Sequence, residues 1–212
     1  MIVDDFPKKI AIFPLSNAVL FPKTIMPLNI FEDRYIQLIN DCMKSQRLFG
    51  MTQPLSKKNL KPEIYKVGCL GKIISFNETS DKRFIITLSG IIRFKIKEEL
   101  TTNKMYREFI VDYSDFIQDI STDKNNFENF DIKNLLNKIK FFVEKKNYLI
   151  EFNELKKLNL IELINTICMI SPFSAEEKQK LIEIITVKNR LKVLEEITNF
   201  NLADNFENKT IQ

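Results

Sequence analysis

Histidine is absent from this chain. That removes Ser-His-Asp and Cys-His nucleophilic catalysis, and with them every metal site that needs an imidazole. Carboxylates stand side by side in the sequence at Asp4-Asp5, Glu98-Glu99, Glu176-Glu177 and Glu195-Glu196, among others. Adjacent side chains diverge along a helix or strand, so these pairs read as solvated surface and helix caps rather than as an acid–base couple. Gly71-Lys72 lacks both the upstream glycine and the following hydroxyl of a phosphate-cradling loop. Cys42, Cys69 and Cys168 sit in apolar runs without C-x-x-C spacing, and read as reduced core thiols. The expectation is therefore no catalytic residue, no metal and no cofactor. Binding chemistry is what remains. Glu32 and Arg34 are a charged pair suited to tethering a helix start or meeting a partner. Leu15, Leu20, Phe21, Met26 and Leu28 form a candidate peptide-contact surface in an aromatic-rich loop. Core packing is the plainer reading of those five side chains, and the lining of a hydrophobic recess is the functional one. Met26, Met43, Met51 and Met105 are soft side chains that suit an adaptable surface.

The elements that hold these residues follow from periodicity. Ile10–Phe13 and Thr24–Ile30 are short apolar runs bounded by Pro14 and Pro22, which suit strand ends and turns. Phe31, Tyr35, Leu38, Ile39 and Cys42 then recur on one face of a 3.6-residue helix. Residues 47–53 read as a strand, 54–62 as a polar loop, and 65–76 as a long apolar strand interrupted by Gly68 and Gly71. Between 83 and 97 the period is two: Phe84, Ile86, Leu88, Ile92, Phe94 and Ile96 share one parity, while Arg83, Thr87, Ser89, Arg93, Lys95 and Lys97 share the other. Residues 105–116 suggest one more strand. All four glycines, at 50, 68, 71 and 90, fall in this region, which concentrates bends, bulges and close approaches there. A curved, mostly antiparallel sheet closing toward a barrel is the economical arrangement. Beyond residue 131 the period is helical throughout, with one stripe on Ile132, Leu135, Leu136, Ile139, Phe142 and Val143. A second runs over Leu155–Cys168, Ser174–Glu177 is a capping box after which Leu181, Ile182, Ile184 and Ile185 continue, and Leu191, Leu194 and Ile197 close a last helix.

Phe13, Pro14, Leu15, Val19, Leu20, Phe21 and Pro22, followed by Pro27, Leu28, Ile30, Phe31, Glu32, Arg34 and Tyr35, closely resemble the opening signature of the Lon-protease N-terminal domain. Gly68, Gly71, Gly90, Arg93 and Phe94 match that family's later strands, and the helical half, including Arg190-Leu191, is similar as well. Asp33 stands where the family usually has proline, and an acid also suits a helix's first turn. The resemblance covers about residues 8–200. It implies an α+β fold: a PUA-like pseudo-barrel with one helix, then a C-terminal helical bundle. It implies recognition of unfolded or exposed polypeptide segments, in company with a protease or chaperone, without the ATPase and protease modules. It also marks Glu32, Arg34, Tyr35, Gly68, Gly71, Gly90 and Arg93 as a structural signature.

The totals fit such a module. A chain of 212 residues, 44% hydrophobic and 28% charged, is globular in composition. Residues 1–118 carry 18 Lys/Arg against 13 Asp/Glu, a mild positive excess, while the remainder is nearly balanced. That excess and the PUA-like sheet keep RNA binding as the alternative reading, and a scaffold for one folded partner as another. The expected organisation is a β-rich sub-domain at 1–118, a linker at 119–131, helices at 132–200 and a polar tail at 201–212. The early acids leave no apolar signal segment, and Leu158–Ile170 is too short and too polar to span a bilayer, so a cytoplasmic location without a membrane partner is expected.

Overall fold

Strict alternation over residues 83–97 becomes the longest strand of the structure, a computed structural model that describes residues 3–55, 62–121 and 130–207. Parts of the expected polar loop (56–61), of the linker (122–129) and of the tail (208–212) lie outside the described residues. The chain divides into two compact units, Met1–Ser121 and Thr122–Gln212.

The first unit contains β1 (Lys9–Pro14), β2 (Ile25–Ile30), α1 (Asp33–Met43), β3 (Leu48–Thr52), β4 (Val67–Glu78), β5 (Phe84–Leu100) and β6 (Arg107–Asp112). The strand order is β2-β5-β4-β3-β1-β6, and β6 also returns to the far end of β5. The pairings thus form a partial ring with β2 outside it. Among the described residues only β1 and β3 run parallel, so the sheet is mostly antiparallel. Two register shifts between β4 and β5, at Leu70/Gly71 and Ile73/Ser75, bend the long hairpin. Gly71 faces Gly90 at the first. There the turn Phe21–Thr24 crosses the sheet: Gly90 donates to the Thr24 carbonyl at 2.9 Å and accepts from Lys23 at 2.8 Å. A Cβ on Gly90 would run into the Phe21 carbonyl, so the glycine is required by approach rather than by dihedral freedom.

One parity of β5 is buried as the alternation predicts, with Phe84, Ile86, Leu88, Ile92 and Phe94 all inside. Arg93 departs from the expected pattern. Its parity suggests solvent, yet it is fully buried. The polar stretch after β6 folds as a 3-10 helix, Ser114–Asp119, and covers that outer face. Asp119 accepts from the Arg93 Nη2 at 2.7 Å, from its Nε at 2.9 Å and from its backbone N–H at 3.0 Å. The guanidinium also lies 4.5 Å from the centre of the Phe116 ring. Phe31 departs too. It precedes the helix and is exposed, while Tyr35, Leu38, Ile39 and Cys42 bury the α1 face as expected.

The second unit is helical: α2 (Ile132–Lys145), α3 (Phe152–Leu155), α4 (Leu160–Ile170), α5 (Ala175–Glu183) and α6 (Val187–Glu207). Its core takes Leu135, Ile139 and Phe142 from α2, Ile164, Ile167 and Cys168 from α4, Leu181 and Ile182 from α5, and Leu191 and Leu194 from α6. The single stripe expected over Leu155–Cys168 is two helices, because Asn159 starts α4 by accepting from the Glu162 N–H at 3.0 Å. Buried Arg190 ties the bundle, donating to Asn165 Oδ1 at 2.6 Å and to the Leu181 and Ile184 carbonyls at 3.1 and 3.0 Å. α6 continues to Glu207, past the residue where the composition turns polar.

Candidate functional site

A recess with a volume of about 1150 Å³ opens on the first unit. One wall is the end of β1 with the residues after it, Pro14, Leu15 and Ser16, together with the α1 entry, Glu32, Arg34 and Tyr35. The other wall is the connection from β5 to β6, Leu100–Thr102 and Lys104–Arg107. Pro54 and Pro62 stand at its border.

Local backbone chemistry places each wall. Glu32 is extended, and its carbonyl accepts from the N–H groups of Tyr35 and Ile36 at 2.8 and 2.9 Å, which starts α1 beside the sheet. Tyr35 then packs on Phe13, ring centres 4.2 Å apart. The opposite wall is pinned to α1. Met105 N–H donates to Gln37 Oε1 at 2.8 Å, and the Tyr106 hydroxyl donates to Asp41 Oδ2 at 2.8 Å. Lys104 Nζ donates to Tyr106 Oη at 2.6 Å and sits 3.1 Å from Asp41 Oδ2.

Among the described residues of the lining, each cation has a carboxylate beside it. Arg34 Nη2 lies 2.7 Å from Glu32 Oε2, Arg107 Nη2 lies 2.7 Å from Glu99 Oε2, and Lys104 faces Asp41. The Tyr106 hydroxyl helps hold the Asp41 carboxyl below the usual carboxylate range. Burial pushes Tyr106 itself up to about 12. Tyr35 is also raised, chiefly because burial would strip its phenolate of water, although Arg34 opposes this. So at neutral pH both phenols are neutral donors, and the recess carries internally compensated charge. Among the described residues of this lining, none is arranged as a nucleophile with a base.

Of the candidate contact residues, the structure brings only Leu15 to the recess. Leu20, Phe21, Met26 and Leu28 are buried in the core, where Leu20 and Phe21 lie against Gly90. Of the four methionines, Met105 alone lines the recess, and it is well exposed. Glu32, Arg34 and Tyr35 converge there, whereas Gly68, Gly71, Gly90 and Arg93 are sheet-building positions. Glu32 and Arg34 pair with each other across two residues. The wall at 100–107 was missed by sequence reasoning, because its residues read as the start of an ordinary strand. The packing of Lys104, Tyr106 and Arg107 into one stretch was the available signal.

Residues 9–199 match the family model described as the ATP-dependent protease La (LON) substrate-binding domain. A Lon protease of Desulfosudis oleivorans is 28% identical over 208 residues, covering 94% of this chain and 25% of that protein. A Lon protease of Cytophaga hutchinsonii is 29% identical over 85% of this chain and 22% of its own length. The chain therefore spans about a quarter of the length of these relatives. Among solved structures, a Lon N-terminal domain protein from Xanthomonas campestris shares the fold, with a TM-score of 0.63 at 20% identity, over 88% of this chain and 96% of that one. The N-terminal domain of Mycobacterium avium complex Lon protease superposes with a TM-score of 0.60 at 17% identity, over 91% of this chain and 98% of that one. With nearly the whole chain under one family model, this protein belongs to the Lon substrate-binding domain family.

Proposed function

We propose that this chain is a non-catalytic recognition module that binds exposed segments of unfolded polypeptide and serves protein quality control as an adaptor for a protease or chaperone in the cytoplasm. The observation that carries the reading is the recess. It is walled by residues of the family signature, its volume is about 1150 Å³, and it mixes Leu15, Tyr35 and Met105 with internally paired charges. Such a surface accepts apolar side chains without requiring one sequence.

Titrating the purified chain with a fluorescein-labelled, reduced and carboxymethylated polypeptide tests it. Saturable binding with a Kd on the order of 10 µM is expected, since weak, renewable capture suits a recognition step. No saturation at ten times that concentration would overturn the reading. A parallel titration with single-stranded RNA separates the alternative. Binding of RNA, weakening steeply with salt, would favour the PUA-like sheet as a nucleic-acid surface. Capture of one folded protein and no unfolded chain would favour a scaffold.

A further inference from the structure

β1 has an unfinished edge inside the recess. On one side it pairs with β3 as far as Pro14, opposite Thr52, and the Leu15 N–H donates to the Thr52 carbonyl at 2.9 Å. On the other side its pairing with β6 stops at Ile12, opposite Arg107. Continuing that antiparallel register would set Pro14 opposite Met105. The donor for that rung is spent elsewhere, because the Met105 N–H goes to Gln37 of α1. By the alternation of a strand, Leu15 turns its main-chain groups toward β3 and Pro14 turns its carbonyl away from it, into the gap. Tyr35 adds a second unmatched group. It is only 6% exposed, it lines the recess, and its hydroxyl meets no hydrogen-bond partner among the described residues.

We propose that an extended polypeptide segment enters this gap as an added strand, its main chain supplying the rung that Met105 leaves open at Pro14. Resting on the function proposed above, this names the place and the mode of recognition. The bound chain donates an N–H to the Pro14 carbonyl and offers a carbonyl to the Tyr35 hydroxyl. Its alternate side chains pack on Leu15 and Met105. Among the described residues, charge plays a minor part. Arg34, Lys104 and Arg107 each have a carboxylate within 3.1 Å, so an anionic ligand would have to break a pair to gain one. The occupant is therefore a polypeptide read through its main chain, and not a phosphate-bearing polymer.

The test compares variants of the full chain against the same carboxymethylated polypeptide. Leu15→Asp and Met105→Asp place a charge in the gap at positions that are not core, and Met105 is 59% exposed, so the fold is retained and circular dichroism checks it. Ile85→Asp, on an outward position of β5 that is 47% exposed, is the control. Both recess variants are expected to weaken binding about tenfold or more, with the control within about twofold. Raising salt from about 50 to 500 mM should change the Kd of the unmodified chain by less than about threefold. A ten-residue segment of the polypeptide, N-methylated at alternate residues, should lose at least about tenfold in affinity, because methylation removes the donors a strand needs. Binding unchanged in both recess variants, or insensitive to N-methylation, would overturn this inference and leave the proposed function standing. No binding by the unmodified chain would overturn both.

Discussion

Gly90 and Arg93 lie three positions apart on one strand and are held there by opposite means. Gly90 is needed for what it lacks: the Phe21 carbonyl occupies the place of a side chain, and a backbone atom cannot swing aside. Gly90→Ala should cost about 2–3 kcal/mol by overpacking, measured as a lowered urea midpoint. Arg93 is needed for what it brings. Its guanidinium and backbone N–H hold Asp119 out of water through three hydrogen bonds. Arg93→Met strands a buried carboxylate and should cost about 3–5 kcal/mol, whereas Arg93→Met with Asp119→Leu should recover most of that loss. If the double variant is no better than the single one in urea unfolding, the penalty lies in packing against Phe116 rather than in the stranded charge. Asp119 was illegible as a partner, because 26 residues separate it from Arg93 and it falls where the composition turns polar.

The secondary elements were legible wherever one period ran unbroken. Tyr35, Leu38, Ile39 and Cys42 mark the buried face of α1, and the even positions from Phe84 to Phe94 mark that of β5. The Ser174–Glu177 box also reads directly from sequence, since both of its bonds form within one turn. Glu177 N–H donates to Ser174 Oγ at 3.2 Å, and Ser174 N–H donates to Glu177 Oε2 at 2.7 Å. Ser174→Ala should lower stability by about 1 kcal/mol, seen as a shift in the denaturation midpoint without change in its slope. What periodicity does not report is which of two elements covers an outer face. The 3-10 helix over Arg93 and the Gln37 contact that ends β6 are both settled by side chains from distant segments. The recess was half legible for the same reason. Glu32, Arg34 and Tyr35 stand in a signature, while their opposite wall is assembled by hydrogen bonds to α1.

Taken as a whole, the molecule buries several groups whose neutral form the fold prefers. Burial pushes the Cys42 and Cys168 thiols from 9.0 up to about 12, and the Tyr106 phenol from 10.0 to about 12. The unfolded chain gives up these protons first. Their contribution is therefore full below the ordinary thiol range and is lost as pH climbs toward 12. Lys178 works in the other direction, since burial lowers its pKa and its contribution improves with pH, but burial raises the Tyr35 and Tyr113 phenols as well, so it is one group against five raised thiols and phenols. Thermal midpoints should be flat from about pH 6 to about pH 8.5 and then fall steadily, as read by calorimetry across that range. A midpoint that rose through pH 10 would mean that the lysine dominates.

The ring of strands carries one more consequence, in the order of manufacture. Lys9 pairs with Ile110 and Ile12 with Arg107, so the first strand made must wait for the last. Until the sixth strand has left the ribosome, β1 and β3 can lie side by side with nothing to close them. Contacts so distant along the chain form slowly. During synthesis, a protein proposed to receive unfinished chains is itself one of them, with its own first strand unguarded along one side.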